Sequence, residues 1–355
     1  MQLISRATCS ERVRLDLTSQ LWAFAPYGPA NASVRSRLLD WLPRLGIENA
    51  EVLLGGLDPF GIRAQWRSRG IPAGATRFVL RNAAKLSRGS LEARILRGGA
   101  PGVYDIDDGL PWDDGTLPGL GAVWKRPWPR SLIALRAATA ADRVIAGNDI
   151  LAEWAEQHCR DVVVIPTCVE PANYASKRSW EASATPRIGW IGTAATEPYL
   201  LDIAPALTEI HRATGAILTV LSGPGDVHPS LAPFTERVVW TIERQHSMLA
   251  SWDVGIMPLR DGRYERAKCA YKLLQYGAAG LPAVGTPIGA SRMVLHAFGA
   301  DSPTTNAEWV DSLLHLITGP AAARKQLGER SAQVVSADYS YDAWEPTWRA
   351  AVFDR

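Results

Sequence analysis

Residues 252–287, WDVGIMPLRDGRYERAKCAYKLLQYGAAGLPAVGTP, decide the fold more than any other stretch of the chain. The apolar runs 254–257 and 283–285 are typical of buried parallel strands, because polar residues do not alternate with apolar ones. Between them, leucines and alanines recur at helical spacing up to Gly280, which suits the end of a helix and is followed by Pro282. Strand, loop, helix and strand in this order indicate an open parallel sheet.

The same alternation of strands and helices runs through most of the chain. Further strands are predicted at 21–25, 50–54, 77–80, 102–106, 143–146 and 162–165 in the first half, and at 187–191, 217–221 and 238–242 in the second half. Amphipathic helices are predicted at 34–45, 198–213 and 307–317. The two series of strands are separated by a segment rich in Pro, Ser, Ala and charge, which is typical of a linker.

We therefore predict an α/β fold with two doubly wound, Rossmann-like parallel-sheet domains that face a cleft. The N-terminal domain is expected at 1–168, the linker at 169–186 and the C-terminal domain at 187–340. Segment 341–355 has tryptophans at helical spacing and is expected to form a helix that packs back on the N-terminal domain. Because ligands of such sheets bind beyond the carboxyl ends of the strands, the substrates are expected in the cleft.

Composition limits the classes of function. The chain has 355 residues, 47% of them hydrophobic and 21% charged, which suits a globular protein with a large core. A formal net charge of +2 argues against a nucleic-acid binder, which would have a larger basic excess. The four cysteines lack the spacing of a metal site, and neither a signal-peptide run nor a run long enough to span a membrane is visible. We expect a cytoplasmic protein.

A helix start within 252–287 is a candidate phosphate site. The helix is predicted to begin near Lys268, with the backbone N–H groups of 269–272 directed into the cleft and Lys272 alongside. Helix dipole and ammonium groups both favour negative charge, so a diphosphate would be stabilised there. The alternative is an ordinary basic helix start at the surface.

The run KxxxKLLQYxAAGLPxVxxPxG, which begins at Lys268, resembles the donor-binding segment of family-4 retaining glycosyltransferases of the GT-B fold. Other pieces follow in the order that this family shows: YGP at 27–29 with NAS at 31–33, YDIDD at 104–108 and RIGWIGT at 187–193. The resemblance covers roughly residues 21–353.

The resemblance implies a function and a set of site residues. It implies transfer of a hexose or amino-hexose from a nucleotide-diphosphate sugar, with UDP as the expected nucleotide, retention of configuration, and neither cofactor nor metal. The implied donor-binding residues are Gly192, Thr193, Arg266, Lys268, Cys269, Ala270, Tyr271, Lys272 and Gln275. The implied acceptor-binding residues in the N-terminal domain are Gly28, Asn31 and Arg35, to which we add Trp112 because tryptophans cluster just past the acidic strand end at 107–108. Acceptors under consideration are small molecules, lipid-linked compounds and compounds bound to a carrier protein.

The chain departs from the family pattern around the donor. The Arg and Lys that usually follow the glycine of the donor-domain strand are absent, and residues 192–196, GTAAT, form that loop instead. The family usually has Glu-x7-Glu around the donor, and here Ala267 and Gln275 occupy those positions. Gln275 can still hydrogen-bond a diol, but it adds no negative charge. These departures keep open a nucleotide-sugar-binding protein without catalysis. A sugar-nucleotide epimerase of similar architecture is a further alternative, although it would need its own acid–base groups.

Asp107 and Asp108 end a predicted strand and are the candidate catalytic residues. Two carboxylates at the carboxyl end of a parallel strand face the cleft, where either could orient the acceptor nucleophile or accept its proton. The alternatives are a cap on the following turn or a metal-binding motif.

Residues 61–100 contain nine basic side chains and one acidic side chain, Glu92. Such a run is compatible with an anionic membrane surface, an acidic carrier protein, a phosphorylated acceptor, or simply a solvated face. Trp112, Trp124 and Trp128 could form an aromatic wall against an acceptor ring.

Overall fold

The computed structural model describes residues 20–55, 58, 60–98, 101–113 and 128–354, so Trp124 and part of the predicted aromatic wall lie outside the described residues. The chain forms two parallel β-sheets, one from each half, with helices on both faces. The predicted α/β class is therefore confirmed. Within the described ranges, none of the helices combines the length and apolarity needed to cross a bilayer.

The first sheet has six strands in the order β2-β1-β3-β4-β5-β6, and every neighbouring pair is parallel. Its strands are β1 (Leu21–Ala25), β2 (Ala50–Leu54), β3 (Thr76–Leu80), β4 (Gly102–Ile106), β5 (Arg143–Ala146) and β6 (Val162–Val164). The helices of this half are α1 (Ala32–Val34), α2 (Trp41–Arg44), α3 (Ile62–Ser68), α4 (Ser90–Leu96), α5 (Arg130–Ala140) and α6 (Asp149–Ala155), with short 3₁₀ turns at Leu110–Trp112 and Pro171–Asn173.

The second sheet has five strands in the order β11-β10-β7-β8-β9, again all parallel. Its strands are β7 (Arg187–Ile191), β8 (Ile217–Ser222), β9 (Thr235–Val239), β10 (Val254–Met257) and β11 (Ala283–Gly285). The helices are α7 (Pro198–Asp202), α8 (Ala204–Thr214), α9 (Ile242–Met248), α10 (Arg263–Arg266), α11 (Tyr271–Ala278), α12 (Gly289–Phe298), α13 (Asn306–Thr318), α14 (Ala321–Asp338) and α15 (Tyr341–Phe353), with 3₁₀ turns at Ala232–Phe234 and Leu249–Ser251.

Strand order fixes where ligands can bind. In the second sheet β7 lies between β10 and β8, so the chain leaves it in one direction for β8 and β9 and in the other for β10 and β11. The carboxyl ends of β7 and β10 form the switch point of the sheet, where such folds open a crevice. In the first sheet the corresponding position is the carboxyl end of β1 and β3.

The predicted helix 34–45 is broken in the structure. A π-helical turn, Arg35–Leu39, separates α1 from α2 and directs Arg37 into the core. Arg37 donates from Nε and Nη2 to the two oxygens of Asp105 at 2.9 and 2.8 Å, and from Nη1 to the carbonyl of Ile165 at 2.7 Å. A buried guanidinium needs such partners, which explains the local irregularity. The pair links the first helical segment to the centre of the sheet.

The last helix, α15, packs on the first sheet although it follows the second. Trp348 is stacked on Trp41 with ring centroids 5.3 Å apart, and its ring is 6.1 Å from that of Phe78. The hydroxyl of Thr76 donates to the carbonyl of Val352 at 3.2 Å. The chain therefore passes between the halves twice, once in each direction.

Candidate active site between the two sheets

Asp108 follows β4 and joins the two halves of the chain. Its carboxylate accepts hydrogen bonds from Tyr264 Oη at 2.9 Å, Lys268 Nζ at 3.1 Å and the Gly109 N–H at 3.0 Å, and it is ion-paired with Arg81. Burial alone would raise the pKa of Asp108, but the charges of Lys268 and Arg81 outweigh it and hold the pKa well below its usual range. Asp108 is therefore ionised, and both of its oxygens already have partners. We call Asp108 with its partners Arg81, Tyr264 and Lys268 the clamp.

The segment that carries Lys268 is built into the core of the first half. Ala267 is fully buried and packs, with Cys269, among side chains of the first sheet. Asn148, which caps α6, donates from Nδ2 to the Ala267 carbonyl at 2.8 Å, and the Cys269 thiol donates to the Asp107 carbonyl at 3.2 Å. Burial raises the pKa of Cys269 to about 12, so it stays a neutral thiol. This loop is an interdomain contact rather than an open edge of the cleft.

Two glycines allow this close approach. A Cβ at Gly109 would lie 2.4 Å from the Tyr264 carbonyl oxygen, and a Cβ at Gly147 would lie 2.4 Å from Cys269 Sγ. Both distances are shorter than any real contact, so neither position tolerates a side chain without displacing the loop.

Asp107, unlike Asp108, has a carboxylate oxygen that accepts no hydrogen bond from a described residue. It is largely buried, and its Oδ1 lies 3.3 Å from Arg81 Nε, an ion-pair distance without the alignment of a hydrogen bond. No other described residue donates to that oxygen. A buried acceptor without a donor is costly, so of the two carboxylates Asp107 is the one that a further hydrogen-bond donor would stabilise.

Arg81 holds the two carboxylates in place. It directly follows β3 with φ of 62°, a left-handed conformation that is strained for a residue with a Cβ. Its carbonyl accepts from Tyr104 Oη at 2.9 Å, and its Nη1 lies 3.3 Å from Ser33 Oγ in the loop after β1. The strain is maintained by contacts on every side, as is common where a site is preorganised.

Lys272 has no ion-pair partner among the described residues. It lies in the first turn of α11 with Nζ 5.5 Å from the centroid of the Trp190 ring, and it forms no hydrogen bond or ion pair with a described residue. Burial, with a further contribution from Lys268, lowers the pKa of Lys272 to about 8. Since the first backbone N–H groups of a helix lack partners within it, the start of α11 adds donors beside this ammonium.

Gly192 and Thr193 directly follow β7, which carries the ring that faces Lys272. A Cβ at Gly192 would lie 2.2 Å from that ring, which belongs to Trp190. Thr193 is exposed, and its N–H is 3.2 Å from Thr196 Oγ1 in a tight turn. Gly192 and Lys272 thus share the Trp190 ring as a neighbour at the switch point of the second sheet, and Thr193 is the next residue in the chain.

The other residues predicted to bind the donor have protein partners. The helix begins at Tyr271 rather than near Lys268, because the residues before it pack into the first half. Ala270 is buried, with a left-handed φ of 54°, at the N-cap. Arg266 forms an exposed ion pair with Asp261.

Gln275 and Tyr271 are turned towards the linker. Gln275 is only 2% exposed and donates from Nε2 to Tyr174 Oη at 3.2 Å. The same hydroxyl accepts from Gln245 at 3.2 Å, and burial holds the pKa of Tyr271 well above its usual value. Ala267 and Gln275, which occupy the positions where the resemblance leads one to expect glutamates, are therefore both buried in protein contacts.

The loop after β1 reaches across to the second half. Asn31 caps α1 by accepting from the Val34 N–H at 3.2 Å. The Arg35 guanidinium lies 5.0 Å from the centroid of the Trp240 ring, a contact between the halves, and donates to the Ala30 carbonyl at 2.7 Å. Both of these predicted acceptor-binding side chains therefore have partners within the protein.

The remaining two predicted acceptor-binding residues, Gly28 and Trp112, have different surroundings. A Cβ at Gly28 would meet no atom within 4 Å, so this glycine faces open space. Trp112 is partly buried beneath the guanidinium of Arg263, at 5.7 Å, while Trp128 lies under that of Arg88 at 4.5 Å.

Sequence reasoning missed Arg81, Tyr264 and Asn148. Arg81 could have been found, because it directly follows a predicted strand and so lies at the edge of the sheet that carries Asp107. Tyr264 and Asn148 carry no local signal, since their roles depend on contacts between the two halves.

No protein-family model matches the chain, and no curated protein matches its sequence. Solved structures do resemble it. HepE of Anabaena, in complex with UDP and glucose, has a TM-score of 0.67 at 11% identity over 92% of this chain and 98% of HepE. A UDP-forming trehalose-phosphate synthase from Burkholderia xenovorans has a TM-score of 0.63 at 12% identity over 95% of this chain and 99% of the synthase.

A mutant of TarM from S. aureus, in complex with fondaparinux, alpha-GlcNAc-glycerol and UDP, has a TM-score of 0.55 at 11% identity. The alignment covers 78% of this chain and 55% of TarM, so the chain spans about half of that protein. At these identities the likeness shows the fold alone: the chain has the GT-B architecture of two facing parallel sheets.

We predict that Asp108→Asn lowers the free energy of unfolding by about 3–5 kcal/mol at neutral pH, because Arg81 and Lys268 lose their counter-charge. The folded-state pKa of Asp108 is depressed, so its contribution is fully present above the unfolded value of about 3.9 and is lost as the pH falls below it. Urea unfolding followed by tryptophan fluorescence should show the two proteins converging in acid.

Asp261→Asn is the matched control, since it removes an equivalent carboxylate from the exposed pair with Arg266 and should change little. Equal effects of the two substitutions would contradict the clamp.

Proposed function

We propose that the protein transfers a hexose or amino-hexose, with retention, from a nucleotide-diphosphate sugar, UDP-linked, to an acceptor held against the first sheet. The observation that carries the proposal is the Lys272 ammonium, without an ion-pair partner among the described residues, over the Trp190 ring that Gly192 also adjoins at the switch point of the second sheet. Further support comes from the shared fold with HepE, crystallised with UDP and glucose, and with a UDP-forming synthase.

The donor's diphosphate would be held by Lys272 and the first N–H groups of α11. As the glycosidic bond breaks, negative charge grows on the leaving diphosphate, and fixed cations and helix donors stabilise it without rearranging. Around this position lie three cationic groups, Arg81, Lys268 and Lys272, against two carboxylates, Asp107 and Asp108. The local balance is one positive charge, which favours an anionic ligand.

The acceptor would approach Asp107. Because both oxygens of Asp108 are occupied, the carboxylate proposed to meet the acceptor is that of Asp107, whose buried Oδ1 has no hydrogen-bond donor among the described residues. The Asp107 carboxylate would accept a hydrogen bond from the acceptor hydroxyl, and then its proton as the hydroxyl attacks the sugar. Of the two predicted catalytic residues, this geometry favours Asp107 as the one that touches the acceptor and Asp108 as the one that positions the interface.

A nucleotide-sugar-binding protein without transfer is the second candidate. The observation that favours it is the burial of Ala267 and Gln275, which leaves both carboxylate positions of the family without a group directed at the sugar. Release of free nucleotide together with a glycosylated product distinguishes transfer from binding alone.

The Lys272→Met variant should bind a UDP-sugar about 10- to 100-fold more weakly than the parent, as expected for loss of a charge-assisted contact. Because the Lys272 ammonium deprotonates with a pKa of about 8, donor affinity of the parent should fall as the pH rises through 8. Calorimetric titration with UDP-glucose and UDP-N-acetylglucosamine across pH measures both effects.

Lys325→Met is the control, because Lys325 is exposed and pairs only with the nearby Glu329. Unchanged affinity in Lys272→Met would refute this residue as a phosphate ligand. A pH dependence that persists in the variant would assign it to another group.

We also propose that transfer needs no metal. Across the described part of the chain, no three His, Cys, Asp or Glu side chains come together in a way that could hold a metal ion. The cations and the helix start supply the positive charge that Mg²⁺ supplies elsewhere. Product formation should therefore persist in excess chelator, and loss that Mg²⁺ or Mn²⁺ restores would contradict the proposal.

Asp107→Asn should lower kcat by about 10²–10⁴-fold and leave the donor dissociation constant unchanged. The reason is that Asp107 belongs to the first sheet, whereas Lys272, Gly192 and Thr193 belong to the second. Product formation and calorimetry on the same preparation separate the two quantities. Asp161→Asn, at the amino end of β6 and paired with Arg143, is the control. A change confined to donor affinity would overturn the assignment.

A further inference from the structure

Exposed apolar side chains are concentrated on one part of the first half. Phe60, Ile62, Trp66 and Leu86 are 66%, 68%, 56% and 47% exposed, and they make up half of the large hydrophobic side chains that are exposed among the described residues. Single exposed hydrophobic residues are ordinary, but a group of them on one surface marks an interaction site.

These side chains are neighbours in space. Gly61, between Phe60 and Ile62, is buried so closely that a Cβ there would lie 3.1 Å from the Cβ of Ala84, two residues before Leu86. Trp66 lies one helical turn beyond Ile62 on α3, on the same outward side. We call this surface, residues 60–66 with 84–88, the 60–88 face.

Hydrogen bonds to a buried carboxylate anchor the loop that carries Leu86. Glu92 is fully buried, and its carboxylate accepts from the Ala83 N–H at 2.7 Å and from the Ser87 hydroxyl. Leu86 is therefore exposed on an anchored turn, and its outward position is part of the folded structure.

The charge of the 60–88 face has one sign. Arg63, Lys85 and Arg88 are exposed, whereas the acidic residues of the described segment 58–98, Asp58 and Glu92, are buried and accept backbone N–H groups at 2.6 and 2.7 Å. Apolar side chains that protrude among exposed cations match the surface of an anionic bilayer, where acyl chains take the apolar groups and headgroups take the charge.

The face lies at the same edge of the sheet as the candidate active site. Its two segments follow β2 and β3, and in a parallel sheet all carboxyl ends meet at one edge, where Asp107 follows β4. Lys85 also lies over the ring of Tyr27, at 5.9 Å, in the loop after β1. A bilayer in contact with this face would bring its headgroups to the mouth of the acceptor side.

We infer that the 60–88 face docks the protein on an anionic lipid membrane and that the acceptor is presented from that membrane. The inference rests on the proposed function for the role of the cleft, and the docking itself needs no sugar. It commits to lipid rather than to an acidic protein because the apolar groups protrude, and a bilayer accepts protruding groups without a matching surface.

The experiment is co-sedimentation of the full chain with vesicles of phosphatidylcholine, alone or mixed with phosphatidylglycerol. The parent should sediment with the mixed vesicles and not with the neutral ones. The variant Arg63→Gln/Lys85→Gln/Arg88→Gln should lose about fivefold in affinity for each cation removed. The variant Phe60→Ser/Ile62→Ser/Trp66→Ser should lose about tenfold or more.

Matched controls carry the same changes elsewhere on the surface. Leu135→Ser/Val239→Ser/Met293→Ser removes three exposed apolar groups, and Arg178→Gln/Arg212→Gln/Arg292→Gln removes three exposed cations. Both controls should bind vesicles as the parent does. The inference is overturned if the parent does not sediment, if controls and face variants lose affinity equally, or if the apolar variant binds like the parent.

Two further readouts separate this inference from the proposed function. Retention of the parent on poly-glutamate beads, without sedimentation with vesicles, would overturn the lipid assignment in favour of an acidic protein. Donor binding by calorimetry should be the same in parent and face variants. Vesicle binding without any sugar transfer would contradict the proposed function and leave the docking surface in place.

Discussion

The carboxylate of Asp108 receives donors from both halves of the chain, and the arrangement of the two sheets depends on it. Tyr264 and Lys268 reach it from the second half, and Arg81 and the Gly109 N–H reach it from the first. A buried ion pair adds little net stability compared with apolar packing, but it penalises every arrangement in which one partner is left alone. The clamp therefore contributes mainly to the choice of a single relative position of the sheets.

Apolar packing around the clamp stabilises the contact between the two halves beyond what its ion pairs contribute. Ala267 and Cys269 leave the second half and complete the apolar core under the first sheet, so separating the halves would expose that core to water. The glycines that face this loop have no room for a side chain. The ion pairs of Asp108 and the apolar packing of Ala267 and Cys269 thus involve the same short loop. Because Lys268 of that loop pairs with Asp108, the environments of Asp107 and Asp108 differ.

Local sequence was sufficient for the strands and insufficient for the site. Continuous apolar runs located ten of the eleven strands to within one residue, since burial on both faces of a parallel sheet leaves a strong local pattern. The strand predicted at 238–242 lies three residues earlier, because Thr241 caps α9 by accepting from the Arg244 N–H. The prediction did not take into account that Thr241, inside this apolar run, is a residue type that caps helices.

The site depends on contacts between residues far apart in the chain, and local patterns do not contain them. Adjacent carboxylates at a strand end could be predicted, but the side chains that occupy Asp108 are Arg81, Tyr264 and Lys268, which lie far from it in the chain. The helix start predicted near Lys268 fails for the same reason, since that segment is anchored in the other half. What the sequence cannot show is which of two similar lysines is already paired.

Lys268 is paired, whereas Lys272 has no ion-pair partner in the described part of the chain. This difference explains how one cleft can have a fixed interface between the two halves and also a cation that can bind a ligand. If both ammonium groups were paired, an incoming diphosphate would have to break an ion pair before it gained one. If neither were paired, Asp108 would lose a donor from the second half, and two unpaired cations in one cleft would repel each other. With Lys268 on Asp108 and Lys272 over Trp190, the interface is complete before any ligand arrives and one cation is held ready at a helix start. Burial and the nearby Lys268 lower the pKa of Lys272, which means that its charged form is disfavoured there, and an anionic ligand would stabilise that charge.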